Sequence, residues 1–202
     1  MAKKIMFSEK YGLTHAVLKG RKTMTRRLVG NRMTEYDIDA YMRGYHDVAY
    51  GLAQFKIGEE VAIAQSYHDI GLPPTECIGG VYHRRCDEPG WTNKMFVKEE
   101  LMPHRIKITD IKIEHLQDIS DWDCFNEGVM YYDDKFGTGY MIADPYNNNY
   151  RRRCYTTPRK AFAALIDNVS GKGTWESNPF VFVYDFELIR LANKNKEKGG
   201  DE

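Results

Sequence analysis

Residues 180–189, Phe-Val-Phe-Val-Tyr-Asp-Phe-Glu-Leu-Ile, set Phe180, Phe182, Tyr184, Phe186 and Leu188 against Val181, Val183, Asp185 and Glu187. A period of two places these sets on opposite sides of an extended chain, so the segment is expected as a half-buried strand that closes the fold. From His104 to Leu116, Ile106, Ile108, Ile111 and Ile113 are spaced by polar residues. That reads as a second long strand, with a bulge where the alternation slips at Thr109 and Asp110. Between them Thr157-Pro158 supplies an N-cap and a proline in the first turn, Phe162, Leu165, Ile166 and Val169 share one helical face, and Gly171 is the stop. A sheet core with helices against it, an α+β fold, follows.

The remaining punctuation is uneven. A short helix is expected within 7–20, ending at Gly20, with an extended segment from Arg21 to Leu28 after it. Gly58 marks a turn into a strand carrying Val61 and Ile63 on one face. Ser120-Asp121-Trp122-Asp123 reads as a capping box for a short helix that stops at Gly128. Residues 29–56 show no clean period and read as an insertion with some helix, and residues 66–91, rich in glycine and proline, read as loop. Residues 129–155, rich in tyrosine and asparagine, read as a second long loop, and the charged tail from about 193 as disordered.

Composition narrows the classes. The chain has 202 residues, 42% of them hydrophobic, enough for a packed core. Its 29 basic residues cancel its 29 acidic ones, so recognition of a polyanion has to come from local clustering. The four cysteines, at 77, 86, 124 and 154, form no Cys-x-x-Cys pair, which points to a reducing compartment. No stretch of about 18 apolar residues occurs, and no apolar run follows the two N-terminal lysines. A soluble cytoplasmic protein with no membrane partner is expected. Gly-x-Gly-x-x-Gly, P-loop and His-Glu-x-x-His patterns are all missing, which argues against the common nucleotide-binding and metalloprotease classes.

Charge is polarised along the chain. Lys19, Arg21, Lys22, Arg26, Arg27 and Arg32 lie within 14 residues without an acid, and Arg151, Arg152, Arg153, Arg159 and Lys160 form a second cluster. Such patches either cradle a phosphate backbone or form a solvated face balanced elsewhere. Glu114, Asp118, Asp121, Asp123, Glu127, Asp133 and Asp134 supply a compensating run. A cleft between the basic strand and the acidic helix would shift the pKa values of both sides. Lys22 and Thr25 could act as base and nucleophile if neighbouring cations such as Arg21 or Arg26 lower the lysine's pKa. On a regular strand they point to opposite faces, so the pair converges only where the backbone turns or bulges. Glu127, at the negative end of the capped helix, is a candidate general acid, or a solvated glutamate before a C-cap glycine. Cys77, His83 and Cys86, with His68 nearby, match no standard zinc spacing, and no metal or cofactor is expected. Trp91, Phe96, Tyr82 and the tyrosines of 131–155 are either base-stacking groups or core.

The run Gly20-Arg21-Lys22-Thr23-Met24-Thr25-Arg26-Arg27 resembles the Gly-x-Lys-x-x-x-x-Arg signature of the ASCH family, part of the PUA-like superfamily. The Gly58 turn and strand, the strand and helix from Ile106 to Glu127, and the strand 180–188 follow in the family's order. Together these stretches cover roughly half the chain. The resemblance implies one PUA-like domain over 1–192: a mixed β-barrel flanked by short helices, with insertions near 29–54, 66–103 and 129–156, similar to longer members often encoded by phages and prophages. It implies a cleft for a nucleoside or nucleic acid, RNA more than DNA. In the members that hydrolyse N(4)-acetylcytidine, the site residues fall on Lys22 as base, Thr25 as nucleophile and Glu127 as proton donor. Gly20, Arg21, Arg26, Arg27 and Arg152 would then bind substrate or phosphate. An amidohydrolase, a non-catalytic RNA- or DNA-binding module and a nuclease all fit that family.

Overall fold

The computed structural model describes residues 3–78, 80–134, 137–142 and 154–189. In chain order the elements are β1 (Lys4–Ile5), α1 (Leu13–Leu18), β2 (Met24–Leu28), α2 (Glu35–Met42), α3 (Asp47–Leu52), β3 (Glu60–Ile63), β4 (Thr75–Ile78) and β5 (Val81–Arg84). There follow β6 (Arg105–His115), α4 (Asp121–Asn126), β7 (Met130–Asp134), β8 (Gly137–Met141), α5 (Pro158–Ser170), α6 (Thr174–Ser177) and β9 (Phe180–Ile189). Five strands make the main sheet in the order β1-β3-β6-β9-β2, with β1 and β3 parallel and the other pairs antiparallel. The chain is thus α+β. The sheet is open: β1 and β2 are its edges, and no closed barrel forms among the described residues.

Local signals set several boundaries. At the end of α1, Gly20 N–H donates to Val17 O and Arg21 N–H to Ala16 O, both at 2.9 Å, the paired bonds of a Schellman motif. Gly20 takes φ 70°, where a side chain would be strained. The helix is shorter than the 7–20 segment suggested because Gly12, at φ 59°, separates it from a 3₁₀ turn over Glu9–Tyr11. Thr157 Oγ1 accepts from Lys160 N–H at the start of α5. Pro158, Ala161, Phe162 and Leu165 of that helix are buried, whereas Val169 is exposed. The register of β6 shifts between Ile108 and Asp110, leaving Thr109 as the extra residue of a bulge.

Two expectations are corrected. β9 is not half-buried: Val181, Phe182, Val183 and Tyr184 are all buried, because β9 lies between β6 and β2 with both faces covered. In β3, Ala62 is buried along with Val61 and Ile63 for the same reason. The segments read as loops hold two hairpins, β4–β5 and β7–β8. The four residues of β5 are exposed on both faces, so no amphipathic period marks it.

The 29–54 segment packs on the sheet. Tyr41 Oη accepts from Ile113 N–H at 3.0 Å, and Ala49, Ala53 and Phe55 join the main core. Within 66–103, Tyr67, Val97 and Met102 build a smaller core with Ala62 and Ala64. No helix among the described residues is long and apolar enough to cross a membrane. The tail from 193 and the basic run Arg151, Arg152 and Arg153 lie outside the described residues.

Candidate active site

The turn after α1 determines where Lys22 goes. Lys22 N–H donates to Ala16 O, so this residue belongs to the helix-ending turn and not to the strand, which begins at Met24. The backbone turn required for Lys22 and Thr25 to converge is therefore present. From it the Lys22 side chain runs inward and is 2% exposed.

α4 ends against the same turn. Ser120 Oγ accepts from Asp123 N–H at its start, and Gly128, at φ 105°, terminates it. Its last carbonyls have no partners within the helix. Thr23 N–H donates to Asn126 O at 3.0 Å, and Lys22 Nζ donates to Glu127 O at 2.9 Å. The ammonium thus occupies the negative end of the helix.

Lys22 Nζ makes two further bonds, to Met24 O at 2.8 Å and to Glu127 Oε2 at 2.5 Å. The other carboxylate oxygen, Oε1, accepts from Arg26 Nη1 at 3.3 Å. Arg26 also donates from Nε and Nη2 to Glu114 Oε1, at 3.0 and 2.6 Å, and from Nη2 to Asp123 Oδ2 at 3.1 Å. The aspartate of the expected capping box therefore spends its side chain on Arg26, and only the serine half of the box caps α4.

Burial is the main cause that pushes the Lys22 ammonium below its ordinary range; Glu127 opposes it, and Arg27 and Arg26 add to it. The expected depression by cations is present, from Arg26 as named and from Arg27 in place of Arg21, but desolvation is the larger cause. Burial would lower Arg26 too, yet Glu127, Glu114 and Asp123 outweigh it and hold Arg26 above the usual arginine range. Nearby Cys124 is held as a thiol: burial, then Asp121, pushes it up to about 12.

Lys22, Thr25 and Glu127 line one pocket of about 310 Å³. Arg26, Arg27, Gln54 and Phe7 also face it, and Phe162, Leu165 and Ile166 of α5 give it an apolar wall. Thr25 is buried, and its hydroxyl makes no hydrogen bond among the described residues. Arg27 donates from Nη2 to Met6 O at 2.7 Å and lies 5.8 Å from the Phe7 ring, while its buried Nε has no partner among the described residues. Tyr184 Oη accepts from Gln54 N–H at 3.0 Å, fixing Gln54 at the rim.

The structure brings Lys22, Thr25, Glu127, Arg26 and Arg27 together, but it gives them different duties. Arg26 is committed to three carboxylates, which leaves its side chain no role as an open phosphate clamp. Gly20 shapes the turn and does not line the pocket. Arg21 donates to Met130 Sδ at 2.8 Å. Arg152 lies outside the described residues. In the β4–β5 hairpin Cys77 is opposite Tyr82 and His83 opposite Glu76, so Cys77 and His83 point to opposite faces. Among the described residues no three His, Cys, Asp or Glu side chains converge as a metal site. Sequence reasoning missed Asp123 and Glu114 as the partners of Arg26; their membership of the acidic run was the available signal. No family model matches the chain, and no curated protein or solved structure matches it either.

Proposed function

We propose that the protein is an amidohydrolase that removes an acyl group from the exocyclic nitrogen of a cytosine-type nucleoside. The observation that carries this reading is the buried Lys22 Nζ, 2.5 Å from Glu127 Oε2, in a pocket that Thr25 also lines. A lysine whose ammonium is disfavoured by burial, bonded to a carboxylate, can pass its proton across that bond and become a free amine. The amine takes the Thr25 proton as Oγ bonds to the acyl carbon. Glu127 then protonates the departing exocyclic nitrogen as the C–N bond breaks, leaving an ester on Thr25. Water attacks that ester, its proton returns through Lys22, and the carboxylic acid leaves with Thr25 restored.

The pocket volume supports a small ligand. At about 310 Å³ it lies at the small end of ligand sites, which run from about 300 to 1,000 Å³. A nucleoside fits this scale better than a nucleic-acid strand, and the commitment of Arg26 to carboxylates removes one cation from any phosphate grip. The fold is read here as PUA-like. Arg27 donates to Met6 O just beyond β1, drawing the two sheet edges toward each other around the pocket.

The test incubates purified protein with N(4)-acetylcytidine and follows cytidine and acetate by chromatography, with Lys22→Ala and Thr25→Val in parallel. Release by the natural protein that both variants lose supports the reading. No release, or release that persists in Thr25→Val, overturns it.

A further inference from the structure

Among the described residues β2 has one strand neighbour, β9. Phe186 N–H donates to Thr23 O at 2.9 Å, and Val29 N–H donates to Phe180 O at 3.1 Å. The register between these ends pairs Thr25 with Tyr184 and Arg27 with Phe182. Odd-numbered residues of β2 therefore turn their peptide groups toward β9, and Met24, Arg26 and Leu28 turn theirs to the free edge. Met24 O is taken by Lys22 Nζ, which shows that the free edge looks toward the Lys22–Glu127 pair. The Arg26 N–H has no partner among the described residues, although Arg26 lines the pocket and is 6% exposed. A backbone donor so placed lacks the hydrogen bond that interior peptide groups almost always make.

We propose that the Arg26 backbone N–H is an oxyanion donor for the acyl carbonyl of the substrate, an inference that rests on the amide-hydrolysis reading. When Thr25 Oγ bonds to the acyl carbon, negative charge collects on the carbonyl oxygen. The nearest free peptide donor along the chain is the next residue's N–H. In other hydrolases the residue following the nucleophile supplies this donor from a strained turn; here the free edge of a strand supplies it. The charge-paired guanidinium gives the donor its rigidity. Its bonds to Glu114, Asp123 and Glu127 anchor Arg26 to β6 and α4, so the N–H stays aimed without reorganising during the reaction.

The test replaces residue 26 with the α-hydroxy acid analogue of arginine in the full chain made by cell-free translation. This exchanges one N–H for an ester oxygen and keeps the side chain. The same exchange at residue 27, whose N–H faces β9, is the comparison. The residue-26 ester is expected to lower kcat for N(4)-acetylcytidine by about 10²- to 10³-fold. Its Tm should fall only slightly, because the ester weakens the Thr25 carbonyl as an acceptor from β9, while the residue-27 ester, which removes a sheet N–H outright, falls further. A kcat within about threefold of the natural protein overturns the inference. So does a Tm loss matching that of the residue-27 ester, because the N–H would then be engaged inside the protein. Absence of turnover in the unmodified protein would defeat the amidohydrolase reading itself. The Arg26 amide resonance during titration with N(4)-acetylcytidine then decides separately: a shift larger than at Arg27 upholds a ligand contact, and none overturns it.

Discussion

Arg26 and Arg85 are both buried arginines held by carboxylates, yet one lies in the proposed reaction centre and the other in a fastening. Arg85 is paired with Glu76 and Glu88 and lies 5.8 Å from the Tyr67 ring, tying the β4–β5 hairpin to the small core. Its carboxylate partners are 43% and 41% exposed, so water screens the attraction. Around Arg26 the partners are 14%, 17% and 5% exposed, and the most buried, Glu127, is shared with Lys22. Burying both sides of an ion pair turns a weak tether into a strongly coupled set of charges, and placing a lysine within it makes a proton mobile.

The contrast is sharpest at the proposed nucleophile, Thr25, which lies beside Arg26. Thr25→Val keeps the β-branched shape and removes the hydroxyl. Turnover of N(4)-acetylcytidine is expected to fall more than about 10⁴-fold, with the melting temperature little changed, as steady-state kinetics beside a thermal scan would report. Next comes the charge balance. Glu127→Ala leaves the buried Lys22 without its carboxylate, while Arg26 keeps Glu114 and Asp123, and should cost about 3–5 kcal/mol in urea unfolding, whereas Glu88→Ala should cost under about 1 kcal/mol. Equal losses would erase the distinction between the two clusters.

A pH dependence follows from Lys22. Its folded-state pKa is lowered, so between that value and 10.5 the unfolded chain binds more protons and stability contributed by this group rises with pH. Since the proposed reactive pair keeps one proton between Lys22 and Glu127, kcat/KM should fall by about tenfold per pH unit once that proton is lost to solvent, on an alkaline limb centred below pH 10.5. A limb centred at or above that value would mean that Lys22 is not depressed. The smallest effect concerns the turn that aims α4. At Gly128, φ is 105° and a Cβ would lie 3.1 Å from Leu13 Cδ2 and 3.8 Å from Lys22 Cδ. Gly128→Ala should therefore cost about 1–3 kcal/mol by chemical denaturation and raise the apparent pKa of the kinetic limb if Lys22 is displaced toward water.

What was legible in the chain was local. Gly20, Ser120, Thr157-Pro158 and the slip at Thr109 each act within a few residues, and each appears in the fold where the sequence placed it. The β4–β5 hairpin was hidden because an exposed two-stranded ribbon imposes no apolar period, and in β8 two of the five residues are glycines, so its one buried apolar side chain, Met141, sets no period. β9 looked half-buried because its Val, Asp and Glu positions do not reveal how many neighbours a strand has. At the site, the positions of Lys22, Thr25 and Glu127 came from the resemblance, and they share a pocket. The duty of Arg26 could not be read, since its partners Glu114, Asp123 and Glu127 lie 88, 97 and 101 residues away in the chain. A basic run looks like a phosphate patch until the fold decides which of its members face carboxylates.

The most direct test of the central claim is to trap the covalent step. The natural protein and Lys22→Ala are mixed with N(4)-acetylcytidine, quenched in acid within a single turnover, digested and read by mass spectrometry. An acetyl group on the peptide containing Thr25, formed by the natural protein and missing from the variant, is the expected result. Cytidine release with no acetylated Thr25 at any quench time would contradict a nucleophilic threonine.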